Sequence, residues 1–352
     1  MIWVTWRQFR TTILAAAGGI LALAVVVLIC GLGIRGSDRA VPFGTAFGCP
    51  KTGDGSAACW SESLITLTTL TTAVLPVVLG ALVGVTVFSR DIERGTHVLG
   101  LSQSVSRLRW YWSRVLVVFT PITLAAVALG FTLEWARSAA AGPDYAYIST
   151  RWYGYSKLTF PQFQASGLAV GAYTLLALIL GSLVGLLLRN LLGAMAVTLI
   201  AMTALMVGFQ LGARPHYASP VVEARSLDSQ YRVAYTTDDE TIWQLSEGYV
   251  DAQGRRAEFD YRKCNQIGEN YEWSQRPDET LAAYEAREAT MIGMQDREFA
   301  ACQRAQGLDR YEVRYHPDSL FRRFQVIEAS LALMLSALLI IPSLWAVRRL
   351  RP

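Results

Sequence analysis

The side chains that could do chemistry or bind a partner are concentrated in one short segment, Ser89 to Arg114. Its charged residues near the start are Arg90, Asp91, Glu93 and Arg94, and the apolar residues that follow are Val98, Leu99 and Leu101. Charges of both signs beside apolar side chains suit a contact with another protein, and Gly95 permits a sharp backbone bend. The segment fits a stiff mechanical link to a partner. An ordinary solvated loop, whose arginines fix membrane topology, fits the same residues.

Sequence signatures of catalysis and nucleotide binding are absent. The chain has no GxxxxGK[ST] phosphate loop, and indeed no Gly-Lys pair. It also lacks the HExxH and GxSxG patterns of metalloproteases and serine hydrolases. We therefore expect no catalytic residues, no metal and no cofactor bound by this chain, and no nucleic-acid partner.

Four of the five cysteines form two local pairs, Cys49 with Cys59 and Cys264 with Cys302. Two disulfides on an oxidising side of a membrane would explain this spacing. A metal site is the alternative, but no CxxC or CxxH spacing occurs and the three histidines are scattered.

Long apolar segments must position these residues. Hydrophobic residues make up 52% of the chain and charged residues only 17%, against about 25% charged in soluble domains. A helix needs roughly 20 apolar residues to cross a bilayer. We predict an all-α polytopic membrane protein whose transmembrane helices cover 13–34, 64–88, 112–134, 165–188, 191–213 and 324–347.

The ends of the chain flank this helical region. In residues 1–12, Ile2, Trp6 and Phe9 share one helical stripe and Arg7 and Arg10 are basic. This pattern predicts an interfacial amphipathic helix, although a merely basic flank fits as well. Residues 89–109 would form a cytoplasmic loop, and residues 348–352 a cytoplasmic tail.

The distribution of basic residues predicts the orientation. With the N-terminus inside, the inner segments hold eleven Lys and Arg residues and the short outer loops hold six, so both termini are expected to be cytoplasmic. Residues 214–323 would then be a small extracytoplasmic α+β domain between helices 5 and 6. Its strand-like runs are Arg232–Thr236 and Ile242–Leu245, and its helix is Asp278–Arg304.

Only three of the 32 basic residues are Lys. This bias is typical of a GC-rich genome, and it favours a bacterial cell membrane as the location.

Few polar groups accompany the predicted spans. Glu134, Gln325 and Glu328 lie at the outer ends of spans 3 and 6, where they could gate an exit or hold a polar substrate, because carboxylates in lipid usually face protein or water. Alternatively, each lies at headgroup depth, where Glu328 would favourably cap a helix N-terminus. The remaining path is uncharged, which suits a hydrophobic or amphipathic cargo.

The charged segment also carries a recognisable pattern, whose residues are Glu93-Arg94-Gly95-Thr96, then Leu99, then Val105-Ser106-Arg107. It closely resembles the loop of type-2 ATP-binding cassette (ABC-2) permeases, which reads E-x-G-T, a Leu pair and P-[VI]-S-R directly before the third span. Ser104 replaces the usual Pro. Trp110, the string Trp3–Gln8 and the residues around Phe324, Gln325 and Glu328 resemble an actinobacterial branch of that family.

The resemblance implies that the loop is a coupling helix seated in a cleft of a separate ATPase subunit. Its coupling residues would be Arg90, Asp91, Glu93, Arg94, Gly95, Thr96, Leu99, Val105, Ser106 and Arg107. ATP and Mg²⁺ would bind to that cytoplasmic subunit, and the permease would form a homodimer in the lipid membrane and export its cargo by alternating access. A membrane-anchored binding protein or sensor acting through residues 214–323 is the alternative function.

Overall fold

The structure is a computed structural model that describes residues 2–35, 56–93, 106–138, 156–188, 190–227, 236–237, 240–267, 269 and 271–349. The chain divides into two compact units. We call Met1–Tyr217 together with Asp318–Pro352 the membrane unit, and Ala218–Pro317 the sheet unit.

The described part of the membrane unit contains six helical segments that are long and apolar enough to cross a membrane. These spans, numbered 1 to 6 in chain order, are Ile2–Arg35, Trp60–Glu93, Arg107–Ser138, Gly167–Leu188, Leu191–His216 and Asp318–Arg348. The α-helices of the whole chain are Ile2–Arg35, Ser56–Leu79, Val85–Glu93, Arg107–Arg114, Thr120–Ser138, Gln162–Ala165, Gly167–Leu188, Leu191–Gly208, Leu281–Ala305 and Phe321–Arg348. The chain is a mostly helical, multi-pass membrane protein.

The helices differ from the predicted bounds mainly at their ends. Residues 1–12 were expected to form a helix of their own, but Ile2–Arg35 is one continuous helix, because neither Gly nor Pro interrupts the chain before Gly18. Span 2 likewise continues past the predicted end at 88 to Glu93, since charged residues extend a helix as readily as apolar ones do.

Turns of π-helix interrupt three of the spans. They are Gly80–Gly84, Val115–Phe119 and Phe209–Ala213. Pro121 follows the second of these turns within two residues, and a proline cannot donate the backbone hydrogen bond that continues a regular α-helix. Such turns are frequent at functional positions in helices.

Span 4 is the central helix, and nearly all of its residues are buried. Glycines on both helices allow span 2 to approach it closely. A Cβ atom added at Gly80 would lie 2.8 Å from the carbonyl oxygen of Ala177, and one at Gly84 would lie 2.7 Å from that of Leu178. A Cβ at Gly181 would collide with the carbonyl oxygen of Gly80. The two backbones therefore touch, which fixes span 2 against the core.

The sheet unit is a small antiparallel sheet with one long helix. Its strands, β1 to β5, are Val221–Ser226, Thr236–Thr237, Glu240–Val250, Arg256–Ala257 and Arg310–Pro317. Their order is β1-β5-β3-β2, with β4 also paired to β3. The predicted strand Ile242–Leu245 lies within β3, whereas most of the predicted strand Arg232–Thr236 lies outside the described residues.

The helix Leu281–Ala305 is fixed at both ends. At its start, the Thr280 hydroxyl accepts a hydrogen bond from the Ala283 backbone, so the helix begins three residues after the predicted start at Asp278. Near its end, Cys302 forms a disulfide with Cys264. The side chains of the other predicted pair, Cys49 and Cys59, lie outside the described part.

We expect a methyl group at the contact between spans 2 and 4 to destabilise the protein. Gly181→Ala should lower the free energy of unfolding by about 1–3 kcal/mol, because overpacking forces the helices apart. Gly208→Ala is the matched control, since nothing lies within 4 Å of a Cβ added there. Thermal unfolding of the purified chain, followed by tryptophan fluorescence, measures both. Equal unfolding temperatures for the two variants would contradict the close contact.

The start of the helix Leu281–Ala305 should depend on pH through Glu279. Hydrogen bonds from the Arg287 guanidinium lower the pKa of the Glu279 carboxyl from 4.5 to about 2. A lowered pKa means that the ionised group stabilises the fold fully above pH 4.5 and loses this effect as the pH falls towards 2.

At pH 7 we expect Glu279→Gln to speed amide hydrogen exchange in residues 281–287 of the full chain several-fold. This difference from the wild type should narrow between pH 4.5 and pH 2. Glu272→Gln, which removes the more exposed ion pair with Arg276, should change the exchange less. A Glu279→Gln effect that is constant down to pH 2 would rule out this role.

Candidate functional site

The predicted coupling loop has two helical stems. Span 2 carries its helix through Arg90, Asp91 and Glu93. The helix of span 3 begins at Arg107, after the Ser106 hydroxyl accepts a hydrogen bond of 3.3 Å from the Arg109 backbone. Of the other residues predicted for this loop, Arg94, Gly95, Thr96, Leu99 and Val105 lie outside the described residues.

A buried ion pair joins the two stems. The Arg114 guanidinium contacts the Asp91 carboxylate, and their side chains are only 6% and 18% exposed. Arg114 also donates a hydrogen bond of 2.6 Å to the carbonyl oxygen of Val87, and its Cζ lies 4.3 Å from the centre of the Trp110 ring. The cation is thus desolvated but fully surrounded by acceptors and an aromatic face, as a buried charge requires.

The same carboxylate reaches span 1. Gln8 donates a hydrogen bond of 3.5 Å to Asp91, and the Phe9 ring centre lies 5.3 Å from the Arg114 Cζ. Nearby, the Thr5 hydroxyl donates to the Ser113 hydroxyl over 3.3 Å. The first turns of span 1 are therefore fixed against the stems of the loop.

Two further stem residues hold the ends of spans 5 and 6. Glu93 accepts a hydrogen bond of 2.6 Å from the backbone N–H of Leu191, the first residue of span 5. Carboxylates are favourable at helix N-termini. Arg107 donates a hydrogen bond of 2.7 Å to the carbonyl oxygen of Arg348, the last residue of span 6, where cations are favourable. Of the spans, only span 4 has no part in this set of contacts among the described residues.

We call Gln8, Asp91, Glu93, Arg107 and Arg114 the stem cluster. The sequence predicted that Asp91 and Glu93 would face a partner, but in the structure both carboxylates bind groups of the chain itself. Arg90, by contrast, is exposed. Arg114 was not among the predicted site residues, although its position at the start of an apolar block of span 3 is one where a basic side chain must find a partner or water.

The opposite end of the helix bundle holds a second buried ion pair. Spans 1 and 3 end here, since Arg35 of span 1 donates to Trp135 and Ser138 of span 3. Span 6 begins here, since its Arg322 pairs with Glu134 of span 3. The stem-cluster residues Gln8 and Arg114 instead lie near the starts of spans 1 and 3. Here the Arg214 and Glu328 side chains are both 0% exposed.

The Arg214–Glu328 pair has a complete set of partners. Its two parallel hydrogen bonds measure 2.9 and 2.6 Å, the bidentate geometry that makes such pairs strong. The Tyr173 hydroxyl donates to Glu328, and Arg214 donates to the carbonyl oxygen of Leu158 over 2.9 Å. The ring of Phe163 lies 3.8 Å from the guanidinium carbon. The buried ion pair joins spans 5 and 6, and the Tyr173 hydroxyl joins span 4 to it.

The contacts of Arg214 and Asp318 explain where the sheet unit begins and ends. The predicted outer domain began at residue 214 and ended at 323, whereas the sheet unit is Ala218–Pro317. Arg214 belongs to the membrane unit because its guanidinium binds Glu328, and Asp318 belongs there because it accepts a hydrogen bond from the backbone of Lys157.

The other two residues of the predicted outer gate also have partners within the membrane unit. Gln325 accepts a hydrogen bond of 2.8 Å from Ala169 and donates one of 2.9 Å to the carbonyl oxygen of Phe163. Glu134 forms an ion pair of 2.6 Å with Arg322. Gln325 and Glu328 are buried in the bundle, while Glu134 lies at its rim.

The stem cluster consists of polar and charged side chains at the ends of helices. Within the described ranges, no three His, Cys, Asp or Glu side chains come together as they would to hold a metal ion. What the structure does bring together is a set of helix ends, joined at the stem cluster by charged side chains that span between them.

Comparison with known families gives the chain its assignment. Residues 17–214 match the family described as ABC-2 membrane transporter related. The chain belongs to this family. The matched region contains most of span 1, spans 2 to 4, nearly all of span 5 and the whole predicted coupling loop. Permeases of the ABC-2 family are generally membrane components without an ATPase of their own, and they usually work with an ATPase partner. No curated protein and no solved structure matches the chain.

The ion pair of the stem cluster should contribute strongly to the stability of this ABC-2 family member. Asp91→Asn leaves the Arg114 cation buried and uncompensated, so the free energy of unfolding should fall by about 3–5 kcal/mol. Arg90→Gln, next to it on the exposed side of the same helix, should change it by less than about 0.5 kcal/mol.

A double variant separates the effect of breaking the ion pair from the effect of leaving one charge unpaired. Asp91→Asn with Arg114→Met should recover most of the lost stability, because no unpaired charge then remains buried. Chemical denaturation in detergent measures all four proteins. If the double variant is less stable than Asp91→Asn alone, removing the unpaired cation brings no recovery and the ion pair is not the relevant contact.

Proposed function

We propose that the chain is the membrane-spanning permease subunit of an ATP-binding cassette exporter. It couples ATP hydrolysis by a separate cytoplasmic ATPase subunit to the export of a hydrophobic or amphipathic substrate by alternating access. The observation that carries the proposal is the stem cluster, which joins the two ends of one loop to the ends of spans 1, 2, 3, 5 and 6.

The geometry supports coupling because a displaced loop cannot move alone. Residues 94–105 are attached through short helical stems at Glu93 and Ser106, and the stems are cross-linked by the buried Asp91–Arg114 pair. Packed interfaces of this kind move as rigid bodies under an applied force, because close-packed side chains resist continuous deformation. A force on the loop is thereby delivered to five helix ends.

The proposed orientation places the loop and both termini in the cytoplasm. Eleven basic residues against six in the outer loops support it. The sheet unit is then extracytoplasmic, and its Cys264–Cys302 disulfide suits an oxidising compartment. ATP and Mg²⁺ bind to the ATPase subunits, two of which serve a homodimer of the permease.

A second function, a membrane-anchored binding protein or sensor, draws support from the sheet unit. This unit has its own small cores, one around Leu227, Ala300 and Leu308, and its own disulfide. A sensor would bind a ligand there and would need no ATPase. The two functions differ in whether a complex with an ATPase forms.

The exposed Arg90 provides the sharpest test of ATPase binding. The full chain is purified with the ATP-binding cassette ATPase that co-purifies from its own host's membranes, and the affinity of the two is titrated. Arg90→Glu should weaken the complex about tenfold, because a reversed charge at an interface suppresses association, and it should leave the thermal stability of the chain unchanged.

Arg323→Glu is the matched control, since Arg323 is an exposed arginine at the other end of the bundle. It should bind the ATPase as the wild type does. Failure of the wild-type chain to bind any such ATPase would overturn the proposed function and favour the sensor. Equal effects of the two variants would overturn the assigned interface.

A further inference from the structure

A small cavity lies in the membrane unit where span 3 ends and span 6 begins. Its volume is about 210 Å³, which is less than the roughly 300–1,000 Å³ of pockets that enclose a drug-sized ligand. The side chains that give it its chemical character are Glu134, Arg137, Lys157, Asp318, Phe321 and Arg322. A cavity of this size suits one polar group of a larger molecule.

The charges around the cavity favour an anion. Both carboxylates are occupied by groups of the chain. Glu134 is held by Arg322 over 2.6 and 3.1 Å, and Asp318 accepts from the Ser156 hydroxyl and from the Lys157 backbone. The Lys157 side chain is exposed. Among the described residues its ammonium group makes no hydrogen bond and no ion pair within 4 Å, and it acts electrostatically on Glu134 from a greater distance. Arg137, Lys157 and Arg322 against Glu134 and Asp318 leave the cavity lining with a net charge of +1.

The surroundings of the cavity favour an amphiphile over a free ion. Phe131 lies 5.9 Å from the Arg322 guanidinium carbon and is 40% exposed. Leu168, two residues from the cavity-lining Ser166, and Val326, one helical turn after Arg322, are also exposed apolar residues. In a bilayer such side chains contact acyl chains. A molecule with an anionic head and an apolar tail could satisfy both surfaces at once.

We propose that this cavity binds the anionic headgroup of a lipid-like amphiphile, with the Lys157 ammonium as the main anchor. The site does not depend on ATP or on a partner subunit, so it stands independently of the proposed coupling. It assigns a role to Lys157 and Arg322, which the coupling account leaves unused.

Native mass spectrometry of the full chain in an uncharged detergent tests the proposal, with phosphatidylglycerol as the anionic probe. Phosphatidylcholine tests the need for net negative charge, and glycerol phosphate tests the need for a tail. The chain should bind phosphatidylglycerol in preference to both. Lys157→Gln should weaken this binding about tenfold, as expected for the loss of a charge-assisted hydrogen bond, and Lys157→Arg should restore most of it.

Arg323→Gln and Arg322→Gln form the matched pair that localises the site. Both are exposed arginines at the start of span 6, but only Arg322 lines the cavity, so only Arg322→Gln should weaken binding. Equal binding of phosphatidylcholine, equal binding of glycerol phosphate, or full binding by Lys157→Gln would each overturn the proposal. Unchanged thermal unfolding of Lys157→Gln confirms that a loss of binding is not a loss of fold.

Discussion

The buried ion pair between Asp91 and Arg114 is the interaction on which the rest of the account depends. Placing a guanidinium where it is 6% exposed is costly unless its charge is matched. In this protein the matching carboxylate comes from the neighbouring span, so neither helix end can leave the other without exposing an unpaired charge. This constraint ties the end of span 2 to the start of span 3.

The remaining contacts extend this constraint through the bundle. The absence of side chains at Gly80, Gly84 and Gly181 lets span 2 lie against the central span 4. At the far end, the Arg214–Glu328 pair joins spans 5 and 6, the neighbours of span 4. The bundle is thus fixed by charge at both ends and by backbone contact in its middle. Under the proposed function, a displacement at the stem cluster would have to pass through these contacts to reach the far end.

The spans of the membrane unit could be predicted from the sequence, but the partners of its buried charged side chains could not. Uncharged blocks predict the six spans because a bilayer enforces a length, whereas the contact of spans 2 and 4 comes from the structure. The partners of Asp91, Glu93 and Glu328 could not be predicted, since Arg214 lies 114 residues from Glu328 and no local pattern encodes that distance. For the same reason the sequence does not show that Arg214 packs within the membrane unit.

The most direct test of coupling through the stem cluster is ATP-dependent labelling at the far end. A cysteine placed at the exposed position 157 is labelled with a membrane-impermeant maleimide in vesicles that contain the ATPase partner. ATP should change the labelling rate in the parent protein, and Asp91→Asn should abolish this change while the ATPase remains bound and active. An equal ATP-dependent change in Asp91→Asn would contradict the account.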